Sequence, residues 1–343
     1  MASENDTHIH IGGRKSQLAI IQSEIVKGYI ESKFPHLKCS ILALSTLGDK
    51  AQSKPLYSFG GKALWTKELE VLLLGAVDEF PQLDLVVHSL KDMPTNLPDE
   101  FELGCILDRK DPRDALIMKQ HSKYKTLDDL PAGSIVGTSS VRRSAQLMKN
   151  FPELRFDSVR GNIQTRLRKL DDPQSPFECL ILAAAGLDRA GLGNRISSYL
   201  DAPGMYHAVG QGALGVEITK NNQKMLLILK ELEDMPTTYS CLAERSLMRY
   251  LEGGCSVPIG VHTSYNKETN VLTFKGIVVS PDGRESVEDE ISDVVTNKEA
   301  ANALGIELGK LLIAKGAKSI LASINFEKIN QAPVVPQVTI NTE

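Results

Sequence analysis

Across the first two-thirds of the chain, short and almost unbroken apolar runs alternate with stripes of helical period, and this alternation restricts the fold more than any other feature. Leu83 to Val87 is nearly continuous in apolar residues, the composition of a strand buried in a parallel sheet. Leu18, Ile21, Ile25 and Tyr29 recur at helical spacing and predict a helix. Strands are predicted at Cys39 to Leu44, Ser134 to Gly137 and Arg155 to Val159, with helices at Lys67 to Val77 and Val141 to Lys149. Leu180 to Ala184 reads as a strand that runs into a helix. Such alternation implies β-α-β units and a doubly wound α/β architecture.

The last third has a different rhythm. Thr238 to Leu251 is helical and is stopped by Gly253-Gly254. Val257 to His262 and Val271 to Val279 read as strands, and Pro281-Asp282-Gly283 as a turn into another. A helix from Lys298 to Ala314 follows, so a separate α+β module is expected from near Glu233. The tail from Asn325, with prolines and few aromatics, is predicted to be loose.

Composition narrows the classes. The 343 residues suggest two to three domains at about 150 residues each. A hydrophobic fraction of 42% supports a packed core rather than wholesale disorder. No apolar run reaches the ~18 residues of a membrane span; Cys179 to Leu187 stops at Asp188. The polar opening MASENDTHIH fits neither a secretory signal nor a transit peptide, so a cytoplasmic location is expected. Cys39, Cys105, Cys179, Cys241 and Cys255 are scattered without a C-x-x-C pair, which argues against a disulfide framework or a zinc cage. A net charge of −4 gives no general nucleic-acid surface.

Generic cofactor motifs fail. Gly210-Gln-Gly-Ala-Leu-Gly215 matches G-x-G-x-x-G, but Val216-Glu-Ile-Thr219 continues it as a strand rather than opening a helix; a tight backbone crossing is expected there. Gly60-Gly61-Lys62 lacks the remainder of a P-loop. The seven histidines show no metal-ligand spacing, and His88 beside Ser89 has no nucleophile elbow and reads as a packed or hydrogen-bonded histidine.

Cations and small polar residues at strand ends stand out instead. Ser89, Lys91 and Asp92 follow a buried strand immediately, and ligand crevices in open α/β sheets lie at carboxyl ends of strands. Gly137-Thr-Ser-Ser-Val-Arg-Arg143 repeats the arrangement, a strand end opening a helix with two arginines in its first turn. Arginine there opposes the macrodipole, so Arg142 and Arg143 point to an anionic partner, against the plainer reading of solvated surface arginines. Arg160 and Arg166 mark a third strand end. A compact polyanion bound between two lobes would account for this gathering.

These segments carry a resemblance. Gly13-Arg-Lys-Ser-Gln-Leu-Ala19, Gly60-Gly-Lys62, Lys67-Glu-Leu-Glu70, Val87-His-Ser-Leu-Lys-Asp92, Asp111-Pro-Arg-Asp114, Gly137 to Arg143, Arg160-Gly-Asn162, Val209-Gly-Gln-Gly-Ala213 and Leu251-Glu-Gly-Gly-Cys-Ser-Val-Pro-Ile-Gly260 occur in one order. In that order the chain, from about Ile9 to Ser323, resembles the hydroxymethylbilane synthase family, also called porphobilinogen deaminases.

The resemblance implies an α/β fold of two periplasmic-binding-protein-like lobes with doubly wound mixed sheets, plus a smaller α+β C-terminal domain. It places lobe 1 at 1–112 with 208–232, lobe 2 at 113–207, the third domain at 233–324 and a tail at 325–343. It further implies a monomeric enzyme of tetrapyrrole (haem) biosynthesis. Four porphobilinogen molecules would be condensed head to tail on a covalent dipyrromethane cofactor, with ammonia released and hydroxymethylbilane freed by hydrolysis. By motif position Asp92 is the catalytic carboxylate and Cys255 the attachment point. Lys91, Ser89, Thr138, Ser140, Arg142, Arg143, Arg160 and Gln211 then bind cofactor, Arg14, Ser16, Arg166 and Arg189 bind substrate, and Lys62 belongs to a flap over Ser45 to Ala63. Without the match, Asp92 would read as a cap before Pro94 and Cys255 as an inert cysteine. Gly13 and Trp65 depart from the pattern, where a hydroxyl residue and Phe are expected. A two-lobed anion-binding protein without activity would lack Asp92 or Cys255, and both are present.

Overall fold

The computed structural model describes residues 7–44, 66–76, 80–251 and 257–323. Its first sheet begins with β1 (His8–Arg14), followed by helix α1 (Gln17–Lys33) and β2 (Lys38–Leu44). Ser16 caps α1 by accepting from the Ala19 N–H at 3.3 Å, and the helix stops before Pro35, which disfavours a helical residue ahead of it. Helix α2 (Lys67–Leu73) then leads to β3 (Leu85–Ser89), the expected apolar strand, and to β4 (Phe101–Ile106). The sheet is completed by β10 (Leu214–Thr219), which enters between β3 and β4 and runs antiparallel to both. Ile9, Ile11, Leu85 and Val216 are fully buried in its core against Val26 and Ile30 of α1.

The second sheet is built alike. Its strands are β5 (Asp114–Met118), β6 (Ile135–Gly137), β7 (Arg155–Asp157), β8 (Phe177–Ala183) and β9 (Ser198–Leu200), in spatial order 7-6-8-5-9. β6 runs parallel to β7 and β8, whereas β5 is antiparallel to β8 and β9. Helices α3 (Val141–Asn150), α4 (Ile163–Asp171) and α5 (Ala184–Arg189) follow β6, β7 and β8 respectively. The expected pair of doubly wound mixed sheets is therefore present.

After α6 (Gln223–Lys230) comes the third unit. Here α7 (Met235–Tyr250) and α8 (Lys298–Ala314), with α9 (Ala317–Ala322), pack on a meander of β11 (Ile259–Asn266), β12 (Val271–Val279) and β13 (Ser286–Val294). No helix among the described residues is long and apolar enough to cross a membrane.

Two segments join the sheets, from β4 to β5 and from β9 to β10, and they touch. Lys110 donates its N–H to the Gly212 carbonyl at 3.3 Å. Gly212 has φ +88°, and a Cβ on it would sit 2.3 Å from the Lys110 carbonyl oxygen. The literal G-x-G-x-x-G is thus a backbone crossing that feeds a strand.

Candidate active site

Strand direction brings the singled-out residues to one region. Ser89 ends β3, and a 3-10 turn of Leu90–Asp92 follows. Asp92 is exposed, whereas Leu90 and Met93 on either side are fully buried. The Ser89 hydroxyl and the buried Gln22 amide of α1 exchange hydrogen bonds at 2.8 and 3.1 Å. Lys91 is half-buried, and its ammonium is lowered to about 8, first by burial and further by Arg143 and Arg142, although Asp92 opposes this. Arg14 ends β1, two residues before the Ser16 cap.

From the second sheet, Thr138 and Ser140 follow β6. Ser140 caps α3 by accepting from the Arg143 N–H, and the buried Thr138 hydroxyl accepts from the Ser140 N–H at 3.2 Å. Each of these hydroxyls keeps a proton to donate. Arg166, in the second turn of α4, donates Nε to the Gly161 carbonyl at 2.8 Å. Its guanidinium is lowered to about 10, first by burial, then by the like charges of Arg143 and Arg160, with Asp92 opposing. Arg166, Arg160, Arg143 and Asp92 therefore share one electrostatic neighbourhood that spans both sheets. Arg189, at the end of α5, donates to the Gly212 carbonyl at 2.8 Å; its Nε is buried without a partner.

Arg142 and Arg143 differ from the expectation that they turn from the first turn of α3 toward a bound anion. They are 5% and 6% exposed, and the anion they meet is internal. Arg142 Nη1 donates to Asp114 Oδ2 at 2.7 Å and to the Tyr206 carbonyl at 2.6 Å. Arg143 grips Asp114 Oδ1 through Nε and Nη2 at 2.9 and 2.7 Å and reaches the Ile181 carbonyl. Burial alone would raise the Asp114 carboxyl; the two guanidiniums outweigh it and hold it well below the usual carboxylate range. Gln211, 1% exposed, also bonds Asp114 Oδ1, at 2.9 Å, and the Pro112 carbonyl at 2.7 Å. Its amide N–H groups face the crossover between the sheets.

Asp114 was visible in Asp111-Pro-Arg-Asp114 without an assigned role. The available signal is a carboxylate opening the buried run Ala-Leu-Ile-Met, a position that requires a cationic partner. Gln22 gave no comparable signal. Gly13 is also explained: a Cβ there would lie 2.5 Å from the buried Ser23 hydroxyl, which occupies the space a larger residue would need.

His88 is hydrogen-bonded to Glu217 at 2.7 Å inside the first sheet, in keeping with the packed reading. Cys39, Cys105, Cys179 and Cys241 are buried free cysteines, as the inert reading requires. Burial pushes the Cys39 thiol up to about 11, Cys179 and Cys241 up to about 12, and Cys105 further. Cys255, Lys62, Trp65 and the segment Ser45 to Ala63 lie outside the described residues.

Comparison with known proteins identifies the family. Residues 9–227 match the family model described as porphobilinogen deaminase, dipyromethane cofactor binding domain, and residues 238–314 match the porphobilinogen deaminase C-terminal domain. The porphobilinogen deaminase of Debaryomyces hansenii is 71% identical over 328 residues, 96% of this chain and 91% of that protein. That of Saccharomyces cerevisiae is 60% identical over 322 residues, 94% of this chain and 98% of that protein. The solved methionine-binding protein MetQ is 12% identical, with a TM-score of 0.40, covering 66% of this chain and 92% of that one. Matched along both its cofactor-binding and C-terminal parts, the chain belongs to the porphobilinogen deaminases, a family of transferase enzymes.

Proposed function

We propose that the cleft between the two sheets assembles hydroxymethylbilane from four porphobilinogen molecules, with Asp92 as the catalytic carboxylate and Cys255 carrying a dipyrromethane. The observation that carries this reading is the shared field of Arg166, Arg160 and Arg143 around the exposed Asp92. Arginines gathered this closely form a site suited to a polycarboxylate, and every pyrrole unit brings an acetate and a propionate. When bound, the dipyrromethane supplies the free pyrrole carbon on which the chain grows.

The residues divide the work. Loss of ammonia from porphobilinogen leaves an azafulvenium cation, and Asp92 is the anion available to stabilise it and to accept pyrrole N–H hydrogen bonds. Arg14, Arg160, Arg166, Arg189 and Lys91 hold carboxylates, as bidentate guanidiniums do better than ammonium groups. Ser16, Thr138 and Ser140 donate their hydroxyl protons, while Ser89 is oriented by Gln22. Asp114, with Gln211, fixes Arg142 and Arg143 so that their remaining edges meet the ligand without rearrangement. Buried thiols at the other four cysteines support Cys255 as the nucleophile, because the thiolate is the reactive form. Lobe boundaries at 1–112 with 208–232, 113–207 and 233–324, a cytoplasmic location and a monomeric state complete the reading.

Denaturing intact mass tests it. Wild type should carry one dipyrromethane, mapped to Cys255, and Cys255→Ser should carry none and lack turnover. An adduct on another cysteine, or an unmodified active enzyme, would refute it.

A further inference from the structure

The turn that presents Asp92 is held from outside its own lobe. Leu90 and Met93 pack with Cys241, which belongs to α7 of the third unit. One helical turn along, Arg245, 3% exposed, donates Nη1 to the Met93 carbonyl at 3.1 Å and Nη2 to the Pro94 carbonyl at 2.6 Å. Another turn on, Arg249 donates to the Thr95 carbonyl at 3.2 Å and to Asn302 of α8 at 3.0 Å. Residues four apart share one face of a helix, so Cys241, Arg245 and Arg249 form a single stripe beneath the segment that leaves Asp92.

We infer that Arg245 is a positioning residue for Asp92, an inference that rests on the catalytic reading of Asp92 above. The chain is extended at Met93 (φ −81°, ψ 128°), and the carbonyls of buried Met93 and half-buried Pro94 both accept from Arg245. A planar guanidinium meets two carbonyls at once, which fixes the exit of the turn in direction as well as distance; an ammonium fixes distance only. The same helix reaches Leu251, four residues before Cys255 in sequence. The helix that holds the exit of the Asp92 turn is thus also the one that leads in sequence to Cys255.

The test uses the purified holoenzyme. In Arg245→Lys, kcat should fall by ~10–100-fold, the scale for misplacing a reacting group by about 1 Å, with full adduct mass and KM for porphobilinogen within about a factor of two. Arg249→Lys, which weakens a comparable interdomain hydrogen bond beyond the turn, should keep kcat near wild type. Because Arg245 acts through Asp92, the double variant Arg245→Lys/Asp92→Glu should be no slower than Asp92→Glu alone. If Arg245→Lys does not fold, Arg245→Gln, which keeps one donor, is judged by the same criteria. Normal kcat in the Arg245 variant while Asp92→Ala is inactive would overturn this inference alone, as would equal losses in the Arg245 and Arg249 variants. An active Asp92→Ala would instead overturn the reading of Asp92 on which it rests.

Discussion

Asp114→Asn is the perturbation with the most definite consequence. Asp114 is wholly buried and receives hydrogen bonds from Arg142, Arg143 and Gln211. The substitution keeps the shape and one acceptor oxygen, but it leaves two buried guanidiniums without their counter-charge. Removing one partner from a buried ion pair costs about 3–5 kcal/mol. At about 2–4 °C per kcal/mol for a cooperative unit of ~150–250 residues, the unfolding transition that includes Asp114 should drop by roughly 6–20 °C. The pH dependence has a fixed sign. The Asp114 carboxyl is held below its ordinary range in the folded chain, so the stability it contributes is complete above the unfolded carboxylate pKa of about 3.9 and is lost as pH falls through the lower folded value. The difference between wild type and variant should therefore be constant from neutral pH to about pH 5 and shrink only in stronger acid. Calorimetry or urea unfolding across this range is the assay. An unchanged midpoint at pH 7 would refute the ion triad as a structural element.

Asp92→Ala should lower turnover by at least ~100-fold, the scale for losing a preorganised electrostatic group, while Asp92→Glu should retain a trace; steady-state assays of loaded enzyme decide this. Arg142→Leu or Arg143→Leu should yield protein deficient in the Cys255 adduct by intact mass and lower in melting temperature, since each removes one of the two guanidiniums that pair with buried Asp114 and, on the proposed reading, a ligand contact. Burial lowers the Lys91 ammonium to about 8, so its cation is present below that pH and fades above it; kcat/KM should decline as pH rises past about 8, and Lys91→Met should remove that limb. Gly212→Ala should destabilise by about 1–3 kcal/mol from its φ of +88° alone, before the clash with Lys110, and a chemical-denaturation midpoint equal to wild type would contradict the crossing.

Local order was legible where local forces decide it. Val271–Val279 and Lys298–Ala314 have the expected bounds, because hydrophobic period and turn residues operate within one element. The placement of β10 between β3 and β4 was not legible, since that pairing joins segments more than a hundred residues apart and leaves no local period. The predicted helix at Lys67 to Val77 ends earlier, at Leu73, with Gly75 at φ +68° beyond it. In the site, cations at strand ends could be read from spacing, whereas their internal partners could not. Asp114 lies 28 residues from Arg142, and Arg245 lies 152 from Met93. The roles of Asp92 and Cys255 came from motif order, because an exposed aspartate and a cysteine after two glycines have commoner uses.

A chain with a net charge of −4 that gathers arginines at its strand ends still has to place its many carboxylates, and the structure shows where two of them go. Asp114 and Glu244 are spent inside: the first on Arg142 and Arg143, the second on Arg109, which it meets at 2.6 Å where the crossover joins the third unit. Both acids clamp guanidiniums in one orientation before any ligand arrives. Interactions fixed in advance need no reorganisation when charge develops, which is where electrostatic stabilisation is most effective. Arg143 and Arg160 repel Arg166, whose guanidinium is lowered first by burial and then by these two like charges. Carboxylates entering this field relieve it, so ligand binding and folding stability are linked in the same direction. The linkage should be strongest at low ionic strength and weaken with added salt, because the partly exposed members of the cluster are screened while the Asp114 triad is not.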